Sequence, residues 1–207
     1  MFEQARRQRM VEVAHRRLAG LAVAAEHTYH RHNVSALLRS ADAAGVYDVH
    51  LIGDRPLVPS VGPSRGVARW LRLHHHTDPV AAATAIRGAG YRLWVADFSE
   101  TPVVPEAVPI DVPVCVWFGA ELLGVSPEVR ALADGVVTLP MRGMVQSLNL
   151  AAAATAVLHV LSTRMLDERG DAALLPEAER EALATAWIAR DAGPGGRNGD
   201  PLEGGVP

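Results

Sequence analysis

The sequence contains no lysine: all 20 of its basic residues are arginines, set against 23 aspartates and glutamates for a net charge of -3. Genomic base composition is the simplest cause. Its chemical consequence is that only forked, bidentate cations are on hand to grip a phosphate or carboxylate. The balance is too even for whole-protein charge to announce a polyanionic partner. One cysteine, Cys115, excludes an intrachain disulfide, and it lies in an apolar run where a thiol is packing rather than nucleophile. No apolar run approaches the ~18 residues of a membrane span, and no charged-then-apolar leader opens the chain. The expectation is a soluble, cytoplasmic protein with no membrane association. Glycine-rich phosphate loops, a G-x-S-x-G elbow and metal-spaced Cys/His sets are all missing, so no metal is expected. A nucleotide-like ligand would have to be held by loops at strand ends.

What is present suits one domain with terminal extensions: 49% of the residues are apolar and 21% charged. The organising stretch runs from 113 to 160. Val114 to Phe118 is an unbroken apolar run ending at a glycine, the pattern of a strand buried on both faces. Ser126-Pro127-Glu128 predicts a short helix, with a hydroxyl cap, proline in the first turn and an acid at the positive end. Val136 to Leu139 is a second strand, stopped by Pro140, and a strongly helical run spans 147–166. Two parallel strands thus deliver the loops FGAELLG and LPMRGMVQSLN to one sheet edge, where open α/β sheets bind ligands. Gly119 and Gly143 allow close backbone approach there.

The rest of the chain alternates strand and helix, which predicts a largely parallel α/β sheet. Residues 2–18 read as a helix with Met10, Val11, Val13, Ala14 and Leu18 inward and Arg6, Arg7, Arg9, Arg16 and Arg17 elsewhere. That basic face is either simply solvated or an arm laid along a nucleic-acid backbone. Leu21 to Ala25 is a short strand. Asn33 reads as the cap of a helix closed by Gly45, with Val34, Leu37, Leu38 and Ala41 inward and Arg39 off the core face. VYDVHLIG is the next strand, 54–69 a loop, and WLRLHHH a strand. Neighbouring histidines at 74–76 point to opposite faces and carry no assigned role. Asp78-Pro79 starts a helix through Arg87, YRLWVAD is a buried strand, and 99–112 is a proline-punctuated loop. An amphipathic helix follows at 176–190, and the Gly/Pro tail reads as disordered.

Three motifs carry a resemblance: HNVSALLRSADAAGV at 32–46, WFGAELLGVS at 117–126 and LPMRGMVQSLNLAAAA at 139–154. In this order and spacing the sequence resembles the TrmH (SpoU) branch of the SPOUT-class RNA 2′-O-ribose methyltransferases over roughly residues 10–190. GMVQSLN, with LLPEAE at 174–179, is most similar to the branch that methylates a D-loop guanosine of tRNA. The resemblance implies an α/β fold, a mostly parallel sheet flanked by helices, with a C-terminal deep trefoil knot at about 93–160. Domain bounds follow as a basic helix at 1–18, the methyltransferase domain at 19–166, a helical extension at 167–190 and a tail at 191–207.

Carried over position by position, Ala96, Gly119, Leu139, Met141 and Leu148 would line S-adenosylmethionine, and Asn33, Arg39, Glu121, Ser147 and Asn149 match the family's catalytic set. A guanidinium is almost never deprotonated, so Arg39 suits orienting the ribose hydroxyl better than acting as a base; a base role assisted by a substrate phosphate stays open. For Ser147 and Glu121, a helix cap and a surface acid remain the alternatives. Leu122 stands where relatives commonly carry lysine, and Tyr29-His30-Arg31 replaces a His-Lys-Pro run. The implied partners are tRNA and a second copy of the chain, with both copies building each site. Two other readings stand beside this one: a ribosomal RNA methyltransferase of the same class, and an RNA-binding module without catalysis.

Overall fold

Six short segments become six parallel strands of one sheet: β1 (Leu18–Glu26), β2 (Val46–Ile52), β3 (Arg72–His76), β4 (Arg92–Ala96), β5 (Val114–Phe118) and β6 (Gly135–Val137). The structure is a computed structural model and describes residues 2–27, 31–54, 65–120 and 123–193. Strand order is β3-β2-β1-β5-β4-β6. The chain therefore starts mid-sheet, builds outward to β3, and then fills the other half with β5 inserted between β1 and β4. The order reverses between β1 and β5, and such a switch point opens a crevice at the carboxyl ends of the strands.

Helices cover both faces. α2 (Arg31–Ala43) and α6 (Leu150–Arg169) press Leu37, Leu38, Leu158 and Leu161 onto Val23, Val49 and Val116. Each of those leucines is fully buried and stabilises the fold by about 1.5–3 kcal/mol relative to exposure. On the opposite face, α4 (Pro79–Gly88) and α5 (Pro127–Leu132) bring Ala82, Ile86 and Val129 against Ala22, Val95, Cys115 and Trp117. α3 is the single turn Arg65–Ala68. The terminal helices α1 (Phe2–Ala14) and α7 (Glu177–Ala192) form their own cluster from Met10, Ala14, Leu183, Ala184 and Trp187.

Several boundaries differ from the sequence reading for local reasons. α1 stops at Ala14, because Leu18 already donates its N–H to Gly45 O at 2.9 Å as β1 begins. Gly45, at φ 77°, lets the chain leave α2 as predicted. Asn33 is not a cap: α2 starts at Arg31, and Asn33 is buried within its first turn. α6 starts at Leu150 rather than Ser147, with Asn149 as its cap, the side chain accepting from Ala151 N–H at 3.0 Å. Asp78 caps α4 as expected. Ser126 stands at the cap position of α5 without a side-chain cap bond. Most of 54–69 and the tail from 194 lie outside the described residues. Among the described residues no helix is long and apolar enough to cross a membrane.

Candidate active site

The carboxyl ends of β4, β5 and β6 open into a cleft of about 440 Å³, a size that suits a small-molecule ligand. Ala96 ends β4, Phe118 and Gly119 leave β5, and Val137, Thr138 and Leu139 leave β6 into its walls. The fourth wall is the segment entering α6, Ser147, Leu148 and the cap Asn149, with Leu150 of the helix itself. All five residues expected around a methyl donor, Ala96, Gly119, Leu139, Met141 and Leu148, lie on this one cleft.

Each wall is held by identifiable contacts. Gly119 is required by close approach: a Cβ there would stand 2.0 Å from the carbonyl carbon of Gly124. Ala120 and Gly124 exchange backbone bonds at 2.8 and 2.9 Å and close that turn. The β4 exit is pinned by Asp97, whose carboxylate accepts from Arg130 and from Phe98 N–H at 2.7 Å. Arg130 also donates to Phe98 O at 2.6 Å, and the Thr138 hydroxyl donates to Asp97 O. Sequence reasoning missed Asp97, Arg130 and Thr138; a carboxylate ending the buried run YRLWVAD was the available signal.

The catalytic candidates are only partly brought together. Asn149 donates its Nδ2–H to Asn33 Oδ1 at 3.2 Å, joining α6 to α2 beside the cleft. Ser147 is exposed on the rim and is not in α6. Arg39 is exposed on α2, six residues beyond Asn33, about 9 Å along the helix axis; it is not among the cleft-lining residues. Glu121 and Leu122 lie outside the described residues.

The arginine set divides. Arg7, Arg9 and Arg16 are exposed, the first two in loose pairs with Glu3 and Glu12 at 3.6 Å, which contribute little. Arg6 is tied to Asp191 of α7 through bonds of 2.7 and 2.8 Å. Arg17 is a correction: its side chain is fully buried and faces no phosphate. Its guanidinium bonds the Asp42 carboxylate, Val46 O at 3.2 Å and Trp70 O at 3.2 Å, and lies over the Trp187 ring. A buried charge needs such partners.

Away from the cleft, strand pairing assembles histidines that sequence reasoning left without a role. His50 stacks on His74 with centroids 4.4 Å apart and bonds His76 at 3.0 Å, while His74 bonds Asp48 at 2.7 Å. Burial and the two neighbouring imidazoles push His50 down to about 3. Burial alone would raise Asp48, but bonds from His74 and Arg72 outweigh it and hold it at about 2. Among the described residues, no His/Cys/Asp/Glu group is arranged to hold a metal ion.

Residues 20–159 match the model of the SpoU rRNA Methylase family. The chain belongs to this family. Among SpoU relatives, it is 38% identical over 156 residues to the tRNA (guanosine(18)-2′-O)-methyltransferase of Thermus thermophilus, spanning 75% of this chain and 80% of that protein. The Escherichia coli protein of the same name is 33% identical over 181 residues, 84% of this chain and 78% of the relative. The solved Aquifex aeolicus TrmH/SpoU tRNA modifying enzyme superposes with a TM-score of 0.82 at 28% identity, covering 94% of this chain and all of that one. A Streptomyces viridochromogenes SpoU methyltransferase, AviRb, solved with the cofactor AdoMet, gives 0.62 at 29% identity over 72% of this chain and 59% of that one.

Proposed function

We propose that this SpoU protein is an S-adenosylmethionine-dependent tRNA (guanosine(18)-2′-O)-methyltransferase, adding methyl to the ribose 2′-hydroxyl of that guanosine. One observation carries the reading: the donor-type cleft at the ends of β4, β5 and β6 adjoins the Asn33–Asn149 bond, in a chain like those relatives over most of its length.

The cleft fits the donor. Phe118, Leu139, Met141, Leu148 and Ala153 offer apolar surface to an adenine and the methylene chain beside a sulfonium, and the folded-back Gly119 turn leaves backbone groups close by. When bound, S-adenosylmethionine supplies an electrophilic methyl group on a sulfonium. The protein's part is to bring the ribose oxygen in line and to favour loss of its proton. Arg39 presents a permanent cation to that oxygen and an adjacent phosphate, stabilising charge as it develops. Asn33 and Asn149, bonded to each other, fix α2 relative to the cleft mouth. Ser147 on the rim orders the incoming nucleotide.

The same reading includes a trefoil knot over about 93–160. It is supported by the path of the chain, which leaves β6 at the sheet's far edge and returns past the ends of β4 and β5 to lay α6 beside α2 and β1. It also includes a homodimer with shared sites. From Leu150 to Thr163, α6 carries no Asp, Glu or Arg, and its outward positions Ala152, Thr155, His159 and Thr163 are exposed, as is Leu166. An outward face without acid or arginine, His159 its one titratable residue, suits a symmetric contact, and Arg39, exposed and off its own cleft, is then free to serve the neighbouring one. Arg7, Arg9 and Arg16 take the tRNA backbone, and a tRNA substrate supports reading the protein as cytoplasmic. Labelled donor and total RNA test the function: label at guanosine 18 of tRNA supports it, and label confined to ribosomal RNA refutes it. Sedimentation at micromolar concentration tests the dimer, which an active monomer would contradict.

A further inference from the structure

Glu26 is the last residue of β1 and is only 2% exposed. Its Oε2 accepts from the Trp117 indole N–H at 2.9 Å and from the backbone N–H of Ser126 at 3.3 Å. A carboxylate withdrawn from water this far is retained only where hydrogen bonds compensate it, and bonds to an ionised acceptor are the stronger kind. The two donors sit at either end of one excursion of the chain. Trp117 is in β5, two residues before Gly119. Ser126 follows the turn closed by Ala120 and Gly124. Pairing of Ala25 with Phe118 puts Glu26 one step further along, level with Gly119. Phe118, Gly119, Ala120 and Gly124 line the cleft. The carboxylate therefore clamps the outgoing and returning legs of a wall of the cleft from behind, without lining it.

On the other side, the chain leaves β1 through His27, at φ 46° the one non-glycine residue with positive φ among those described. Backbone held in that region persists only where its surroundings over-determine it. The exit leads on to α2 and Asn33. Glu26 thus stands where the path to the acceptor helix leaves the sheet and where the donor wall is tied down.

We propose that Glu26 is a positioning residue for the methyl donor, its buried carboxylate setting Gly119, Ala120 and Gly124 of the cleft wall through Trp117 and the Ser126 N–H. The inference rests on the reading of the cleft as the donor site. Glu26→Gln removes the charge while keeping size, and Ser126→Pro removes the donating N–H at a residue whose φ of -57° a proline ring accepts. The full chain of each variant is titrated with S-adenosylmethionine and separately with unmodified tRNA, and KM and kcat are measured. The expected result is a donor Kd and KM raised about tenfold in both variants, with tRNA affinity and kcat at saturating donor within about threefold, and with less than additive loss in the double variant. A purely structural role would instead reduce the active fraction, lowering kcat at unchanged KM. Either variant, folded and binding donor as tightly as wild type, overturns the inference. Should Glu26→Gln fail to fold, Ser126→Pro decides alone. Wild-type protein that binds no donor contradicts the proposed function itself, and this inference with it.

Discussion

Asn149 does two things at once: its Oδ1 accepts from Ala151 N–H at 3.0 Å, and its Nδ2–H donates to Asn33 at 3.2 Å. One side chain thus caps α6 and ties it to α2. The two roles separate on substitution. Asn149→Asp keeps a good cap and loses the donor to Asn33. We expect its denaturation midpoint to stay near wild type while turnover falls on the order of 10²-fold, the cost of a small misplacement at a reacting centre. Asn149→Ala loses the cap as well and costs about 1 kcal/mol of stability. Paired denaturant curves and single-turnover rates check both.

Arg39 is exposed and offers a planar fork to ribose and phosphate. Arg39→Lys retains the charge but not the fork. Turnover is expected to drop by roughly 10²-fold or more, with donor affinity unchanged within error. A lysine variant within a few-fold of wild type refutes the role.

The N-terminal arginines, on α1 and in the turn after it, do not form one uniform basic arm. Replacing Arg7, Arg9 and Arg16 together by Gln is expected to weaken tRNA binding and flatten the dependence of log affinity on log salt, by up to roughly 0.9 for each duplex phosphate no longer neutralised. Arg17→Ala acts differently: it strips Asp42, Val46 O, Trp70 O and Trp187 of their shared partner and costs roughly 3 kcal/mol of stability. Salt titrations and thermal melts of the two variants tell the roles apart.

Helical periodicity placed Arg17 with Arg16 on a solvent face, because nothing local marks it as buried. Its partners come from residues 42, 46, 70 and 187, which only the closed fold assembles. Most of the strands were legible because they are short runs rich in apolar residues; β3, RLHHH, is the exception, with Leu73 its one apolar residue. The cleft was legible because its walls are the motif loops that follow β5 and β6. What local patterns could not give were contacts across long separations: Glu26 with Ser126, 100 residues apart, and His50 with His76, joined by strand pairing. The cap at Asn149 rather than Ser147 was within reach of sequence alone, since asparagine before LAAAA is a good cap; the SLN run offered both.

His50 and Asp48 make stability fall on acidification. Both are depressed in the fold, His50 from 6.5 to about 3 and Asp48 from 3.8 to about 2. A group depressed by folding contributes stability above its unfolded value and loses it as pH falls through the folded one. His50 therefore begins to cost stability below pH 6.5, before Asp48 does. His50→Gln is expected to flatten the stability curve between about pH 6.5 and 4, measured by urea midpoints; an unchanged slope refutes this.

The most direct test of the whole account is a tRNA transcript carrying one 2′-deoxyguanosine at position 18, the guanosine named for the relatives. With S-adenosylmethionine as donor, the ordinary transcript is predicted to take up one methyl group. The deoxy transcript, bound equally well, is predicted to take up none. Equal methylation of both transcripts would contradict the account, because the accepting atom would then not be that ribose oxygen.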